Sequence, residues 1–106
     1  MDFRDVQTYK LAKEFHNTVV EIALPSHLAR QMRDALSSIV LNVAEGIGKK
    51  QVRAYYLLAN GSLNEVMACL DLVNGEVEPE SRERIEALFK TLTTQLSGGK
   101  LTTKPL

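Results

Sequence analysis

Apolar residues return at steps of three and four along nearly the whole of this 106-residue chain, and the pattern breaks only where proline or glycine stands. That period lines one face of an α-helix, and no stretch shows the strict alternation of a strand. The first stripe, from Asp5 to about Ala23, is Val6, Tyr9, Ala12, Phe15, Val19 and Ile22. Pro25 disfavours helical geometry at Leu24, and Ser26 is placed to cap a second helix by accepting a backbone N–H bond. That helix is expected from about His27 to Glu45, with Leu28, Met32, Ala35, Leu36, Ile39 and Val43 inward. Gly46 and Gly48 are expected to end it, because glycine readily takes the left-handed conformation that closes helices.

The third helix, about Lys49 to Val73, is expected to be the longest, with Val52, Tyr55, Tyr56, Ala59, Leu63, Val66, Leu70 and Val73 inward and Asn74-Gly75 at its end. A fourth starts near Pro79, with Glu80 and Glu83 facing the positive end of its dipole and Ile85, Leu88, Phe89, Leu92 and Leu96 as its stripe. Gly98-Gly99 stops it. Helices joined by such short links run antiparallel to their sequence neighbours, so the expected fold is all-α, an up-down-up-down four-helix bundle. It forms one domain over residues 1–97, and residues 98–106 form a flexible tail.

A chain with 44% apolar and 25% charged residues has enough hydrophobic material for one modest core. The second and third helices carry more than that core needs. Val40 and Leu41 extend the run of Ile39, while Leu57, Leu58, Met67, Cys69 and Leu72 lie off the main stripe. A helix apolar most of the way round expects burial on more than one side, which points to self-association.

Thirteen basic and thirteen acidic residues cancel, so the whole chain lacks the strong positive field of a dedicated nucleic-acid binder. A single cysteine, Cys69, excludes an intrachain disulfide and a cysteine-based zinc site and fits a reducing compartment. The first ten residues are charged and lack an apolar signal core, and no run is long enough to cross a bilayer. The expected location is the cytoplasm, with no membrane contact.

Within residues 42–66 several side chains stand where a plain amphipathic helix would not put them, among them Asn42, Glu45, Gly46, Gly48, Asn60 and Gly61. Ser38, Asn42, Glu45 and Lys49 share one face of the second helix, and Ser62 and Glu65 share one face of the third. A mid-helix glycine costs about 1 kcal/mol against alanine, so Gly61 is read as the mark of a tight helix crossing. Ser38, Asn42, Glu45, Gly61, Ser62 and Glu65 are therefore expected to form a structural polar network that fixes helix register, with Ser62 reaching across to the second helix.

No catalytic residue is assigned. Glu45 and Glu65 lack the Glu-x-x-His partners of di-metal bundles, His16 and His27 have no matched nucleophile, and Cys69 sits among apolar neighbours. No metal or cofactor is expected. Lys49, Lys50 and Arg53, extended by Arg30 and Arg33, are the candidate contacts for phosphates, and Tyr55 or Tyr56 is a candidate platform for an unpaired base.

The blocks "MDFRDVQTYKLAKEF", "SSIVLNVAEGIGKK" and "YYLLANGSLNEVMACLDL", in that order, resemble the small four-helix bundle family encoded in intervening sequences of bacterial 23S ribosomal RNA genes. The match rests on Phe3, Arg4 and Asp5, on Ser38, Ile39, Asn42, Ala44, Glu45, Gly46 and Gly48, and on Gly61, Ser62, Leu63 and Glu65, over roughly residues 2–73. The resemblance implies a left-turning bundle that assembles into a ring of five subunits, and kinship with accessory proteins of diversity-generating retroelements, which assist a reverse transcriptase and bind nucleic acid. It supplies no enzymatic activity. The expectation is a non-enzymatic homo-oligomer that binds RNA, DNA or a ribonucleoprotein at the junction of the second and third helices. The alternative is a protein-binding adaptor that docks through the acidic residues 76–86.

Overall fold

A computed structural model describes residues 2–73 and 77–98. Among them there is no strand; a 3-10 turn at Phe3–Asp5 precedes four helices, α1 Gln7–Val19, α2 Ser26–Lys49, α3 Val52–Leu72 and α4 Pro79–Gly98. Each helix packs on its sequence neighbour and α4 returns to α1, so the four form a bundle around one core. Val6, Phe15, Leu36, Val43, Tyr56, Leu63, Leu70, Ile85 and Leu92 are fully buried there. All of them lie on the expected stripes.

The opening block clips the start of α1. The Asp2 carboxylate accepts from the Arg4 backbone N–H at 2.9 Å and pairs with its guanidinium at 2.8 Å. These bonds hold the Asp2 carboxyl at about 2, below its ordinary 3.8. Phe3 stands edge-on to Tyr9, with ring centroids 4.9 Å apart. Far along the chain, the buried Thr8 hydroxyl donates to Gln95 at 2.9 Å and ties α1 to α4.

Several boundaries differ from the expected ones. α1 ends at Val19 rather than near Ala23, because the chain tightens into a turn, with Ile22 N–H on the Val19 carbonyl at 3.0 Å, before the extended approach to Pro25. Ser26 is the first residue of α2 and makes no side-chain cap; Pro25 holds the cap position. α2, not α3, is the longest helix, and it runs straight through Gly46 and Gly48 to Lys49. The expected end of the third helix at Asn74-Gly75 and the tail beyond Gly98 lie outside the described residues.

Gly46 stays helical because its missing side chain is needed for packing rather than for a left-handed turn. A Cβ there would come within 2.7 Å of the Tyr55 Cβ on α3. Gly61 is the reverse of what its position suggests: it is exposed, and a Cβ added to it meets nothing within 4 Å, so within one chain it marks no tight crossing. Met67 and Cys69, read as surplus apolar residues, are buried, whereas Leu41, Leu57, Leu58 and Leu72 remain 65%, 73%, 56% and 72% exposed.

The Gly46 contact has a measurable consequence. Gly46→Ala should lower stability by roughly 1–3 kcal/mol in urea titrations, since α2 and α3 must separate to admit the methyl group. A neutral or stabilising outcome would show that the two backbones are not held together at this point.

Candidate nucleic-acid interface

The turn between α2 and α3 is built from backbone hydrogen bonds. Gln51 N–H donates to the Gly46 carbonyl at 2.9 Å and Lys50 N–H donates to the Ile47 carbonyl at 3.3 Å. This is the six-to-one and five-to-two pattern of a Schellman closure. Its left-handed position, usually glycine, is occupied by Lys50 at φ 55°. The turn therefore places an exposed lysine between two rods, and α3 resumes at Val52 with Tyr55 N–H on the Gln51 carbonyl at 3.2 Å.

The three cations at this turn are not equivalent. Lys49 Nζ pairs with Glu45 at 2.8 Å, donates to the Tyr55 hydroxyl at 3.0 Å and lies 5.3 Å from the centre of the Tyr55 ring. The Glu45 bond, followed by the Tyr55 bond, pushes the Lys49 ammonium above its ordinary range. Lys49 is thus a charged strut across the seam, and a phosphate must compete with Glu45 for it. Lys50 and Arg53 are exposed and have no ion-pair partner among the described residues.

Arg30 and Arg33 are exposed on the same helix but are not part of this turn. At ~1.5 Å per residue, Arg33 lies about 24 Å and Arg30 about 28 Å along α2 from Lys49. Any surface that includes them is a stripe rather than a patch. Tyr56 is fully buried and is not a platform for a base, while half-buried Tyr55 lies over Gly46. Burial pushes the Tyr56 phenol above its ordinary value against a smaller opposing effect of Thr8, yet no aligned hydrogen bond joins the two hydroxyls.

Of the polar residues singled out in the sequence, Ser38, Asn42 and Ser62 meet at the α2–α3 seam. The Ser62 hydroxyl donates to Ser38 Oγ at 2.9 Å, and Asn42 Nδ2 donates to the Ser38 carbonyl at 2.8 Å and to Ser38 Oγ at 3.0 Å. Glu45 joins Lys49, as above. Glu65 stands apart from this group and accepts from Gln31 at 3.2 Å. Gln31 escaped the sequence reading, although it lies one heptad before Ser38 on the same face. The Ser62–Ser38 bond crosses from α3 to α2, and a half-buried bond of this kind contributes about 0.5–1.5 kcal/mol.

His16 meets Asn17 at 3.1 Å, Cys69 is buried with its thiol pushed up by desolvation and then by Glu65, and no group of His, Cys, Asp and Glu among the described residues converges as a metal site. No described helix is long and apolar enough to cross a membrane.

The chain is a four-helix bundle whose middle helices are joined by a Schellman turn carrying exposed Lys50 and linked by a serine–serine hydrogen bond. Residues 4–98 match the family described as 23S rRNA-intervening sequence protein, and the chain belongs to that family. No curated protein and no solved structure matches it significantly.

The strained position at the turn is open to test. Lys50→Gly should raise thermal stability by about 0.5–1 kcal/mol, because relief of the left-handed strain exceeds the entropy that glycine adds to the unfolded chain. A loss of stability on this substitution would show that the lysine side chain itself holds the turn.

Proposed function

We propose that the protein is a cytoplasmic, non-enzymatic homo-oligomer of up-down-up-down bundles that binds RNA, DNA or a ribonucleoprotein through the α2–α3 turn. The reading is carried by Lys50 and Arg53: two exposed cations without an acidic partner among the described residues, placed at and just after a hydrogen-bonded turn between packed helices. One chain of zero net charge attracts phosphates weakly. Repeating the turn around a ring, five times by the family resemblance, brings these cations into a common field.

Self-association is supported by the outward face of α3. Ala54, Leu58, Gly61, Ala68 and Leu72 follow one another along it with steps of three and four, apart from the interval holding Glu65, over about 27 Å. Gly61 weakens the helix there and has no neighbour within its own chain, which fits the close approach of a second copy.

The adaptor reading keeps one specific support. Arg82 and Arg84, the basic residues inside the acidic segment, are turned to Asp71 at 3.4 Å and Glu14 at 3.1 Å, which leaves exposed Glu78, Glu80 and Glu83 unneutralised locally. A basic partner protein would dock there, and an associated reverse transcriptase is one candidate.

Sedimentation should give a multiple of the single-chain mass, and Leu58→Glu with Leu72→Glu should return the single chain with its helicity intact. A lone wild-type chain at micromolar concentration would remove the ring and the shared field together. For binding, affinity to single-stranded oligonucleotides should fall steeply with salt, and Lys50→Gln or Arg53→Gln should each reduce the slope by about one unit, whereas Lys49→Gln should change it less. Failure to retain RNA or DNA at low salt would leave the adaptor.

A further inference from the structure

Asn60 is the unusual residue of the 42–66 stretch that the α2–α3 seam does not account for. Among the described residues, the buried side-chain polar atoms without a hydrogen-bond partner are Tyr56 OH, Asn60 Oδ1 and Thr93 Oγ1. Tyr56 and Asn60 lie one turn apart on α3 and line a cleft of about 350 Å³ with Arg53, Leu57, Leu96 and Ser97. Thr93 lies on α4 one turn before Ser97 and on the same helix face. Arg82 meets Asp71 toward one end of the α3–α4 pairing, and Leu96 and Ser97 line the cleft with Tyr56, Leu57 and Asn60 toward the other. The neighbouring threonines of α4 satisfy their hydroxyls on their own helix, Thr91 on the Ala87 carbonyl at 3.1 Å and Thr94 on the Lys90 carbonyl at 3.0 Å. Thr93 does not.

We propose that this α3–α4 cleft is a subsite for one unstacked nucleobase, with its phosphate on Arg53. The proposal rests on the nucleic-acid reading above and gives it a second contact away from the turn. The Asn60 carboxamide carries an acceptor beside two donors, the set that pairs with a base edge once its enclosed carbonyl is turned into the cleft, and the Thr93 hydroxyl, on the same face of α4 as Ser97, adds a group that donates or accepts. Leu57 and Leu96 supply apolar walls for the faces of a flat ring. Arg53 is exposed at the cleft and has no acidic partner among the described residues, so it is available to a phosphate. The cleft volume is at the small end of the roughly 300–1,000 Å³ range of ligand sites, which admits a single nucleotide and excludes a duplex.

The test uses ten-nucleotide single-stranded homopolymers in fluorescence anisotropy and the four ribonucleoside monophosphates in NMR titrations of the intact wild-type chain. The variants are Asn60→Leu and the near-isosteric Thr93→Val, with melting curves to confirm their fold. The subsite predicts a preferred base, a roughly tenfold loss for that homopolymer in either variant with a flattened base preference, and an unchanged salt slope. If both variants keep wild-type affinity and preference while Lys50→Gln still lowers the slope, the cleft holds water only and the surface reading survives alone. If monophosphates shift the Asn60 and Thr93 resonances but no polymer is retained, the subsite stands as a mononucleotide site and the polymer reading falls. No response to either probe overturns both.

Discussion

The contact on which the architecture depends is the approach of Gly46 to Tyr55, where the end of α2 lies against the start of α3 with no room for a methyl group. It brings the two helices together at their joined ends, and the Schellman bonds of Lys50 and Gln51 then turn the chain within a few residues. Farther from the turn the pairing is held by Ser38 with Ser62 and by Gln31 with Glu65. With close backbones at one end and hydrogen bonds along the rest, the pair presents a fixed surface, and the direction of its exposed cations is set by the backbone.

Much of the fold was legible because helical burial imposes a period. The stripes on α1, α2, α3 and α4 name most of the core, including Phe15, Leu36, Leu63 and Leu92, but they miss buried Leu11 and Ile47 and include half-buried Ile22, Leu28 and Leu88. Boundaries were less legible because one residue type serves different needs. Gly46 has the sequence appearance of a helix stop, yet it is glycine because Tyr55 lies against it, and the left-handed position falls on a lysine. Periodicity also cannot say how wide a buried face is. Met67 and Cys69 fall inside the covered sector while Leu58 and Leu72 fall outside it, and that division depends on where α2 and α4 sit beside α3.

The same contrast holds for the candidate site. Lys49, Lys50 and Arg53 are adjacent in sequence and so are necessarily near one another, but their difference in availability arises from Glu45 and Tyr55, which only the folded turn brings to Lys49. Arg30 and Arg33 belong to a distant part of α2, a separation that helical rise alone dictates. Asn60 was conspicuous in the sequence, but its partnerless carbonyl becomes visible only once α3 and α4 are packed.

The bond between Thr8 and Gln95 joins residues separated by 87 positions. Closing so long a loop is entropically unfavourable, whereas the α2–α3 pair closes through a turn of a few residues. The middle hairpin is therefore the natural early organiser of folding, and the outer helices latch onto each other late. The latch is also where opening is expected first, so that amide exchange along α1 and α4 would outpace that along the α2–α3 seam.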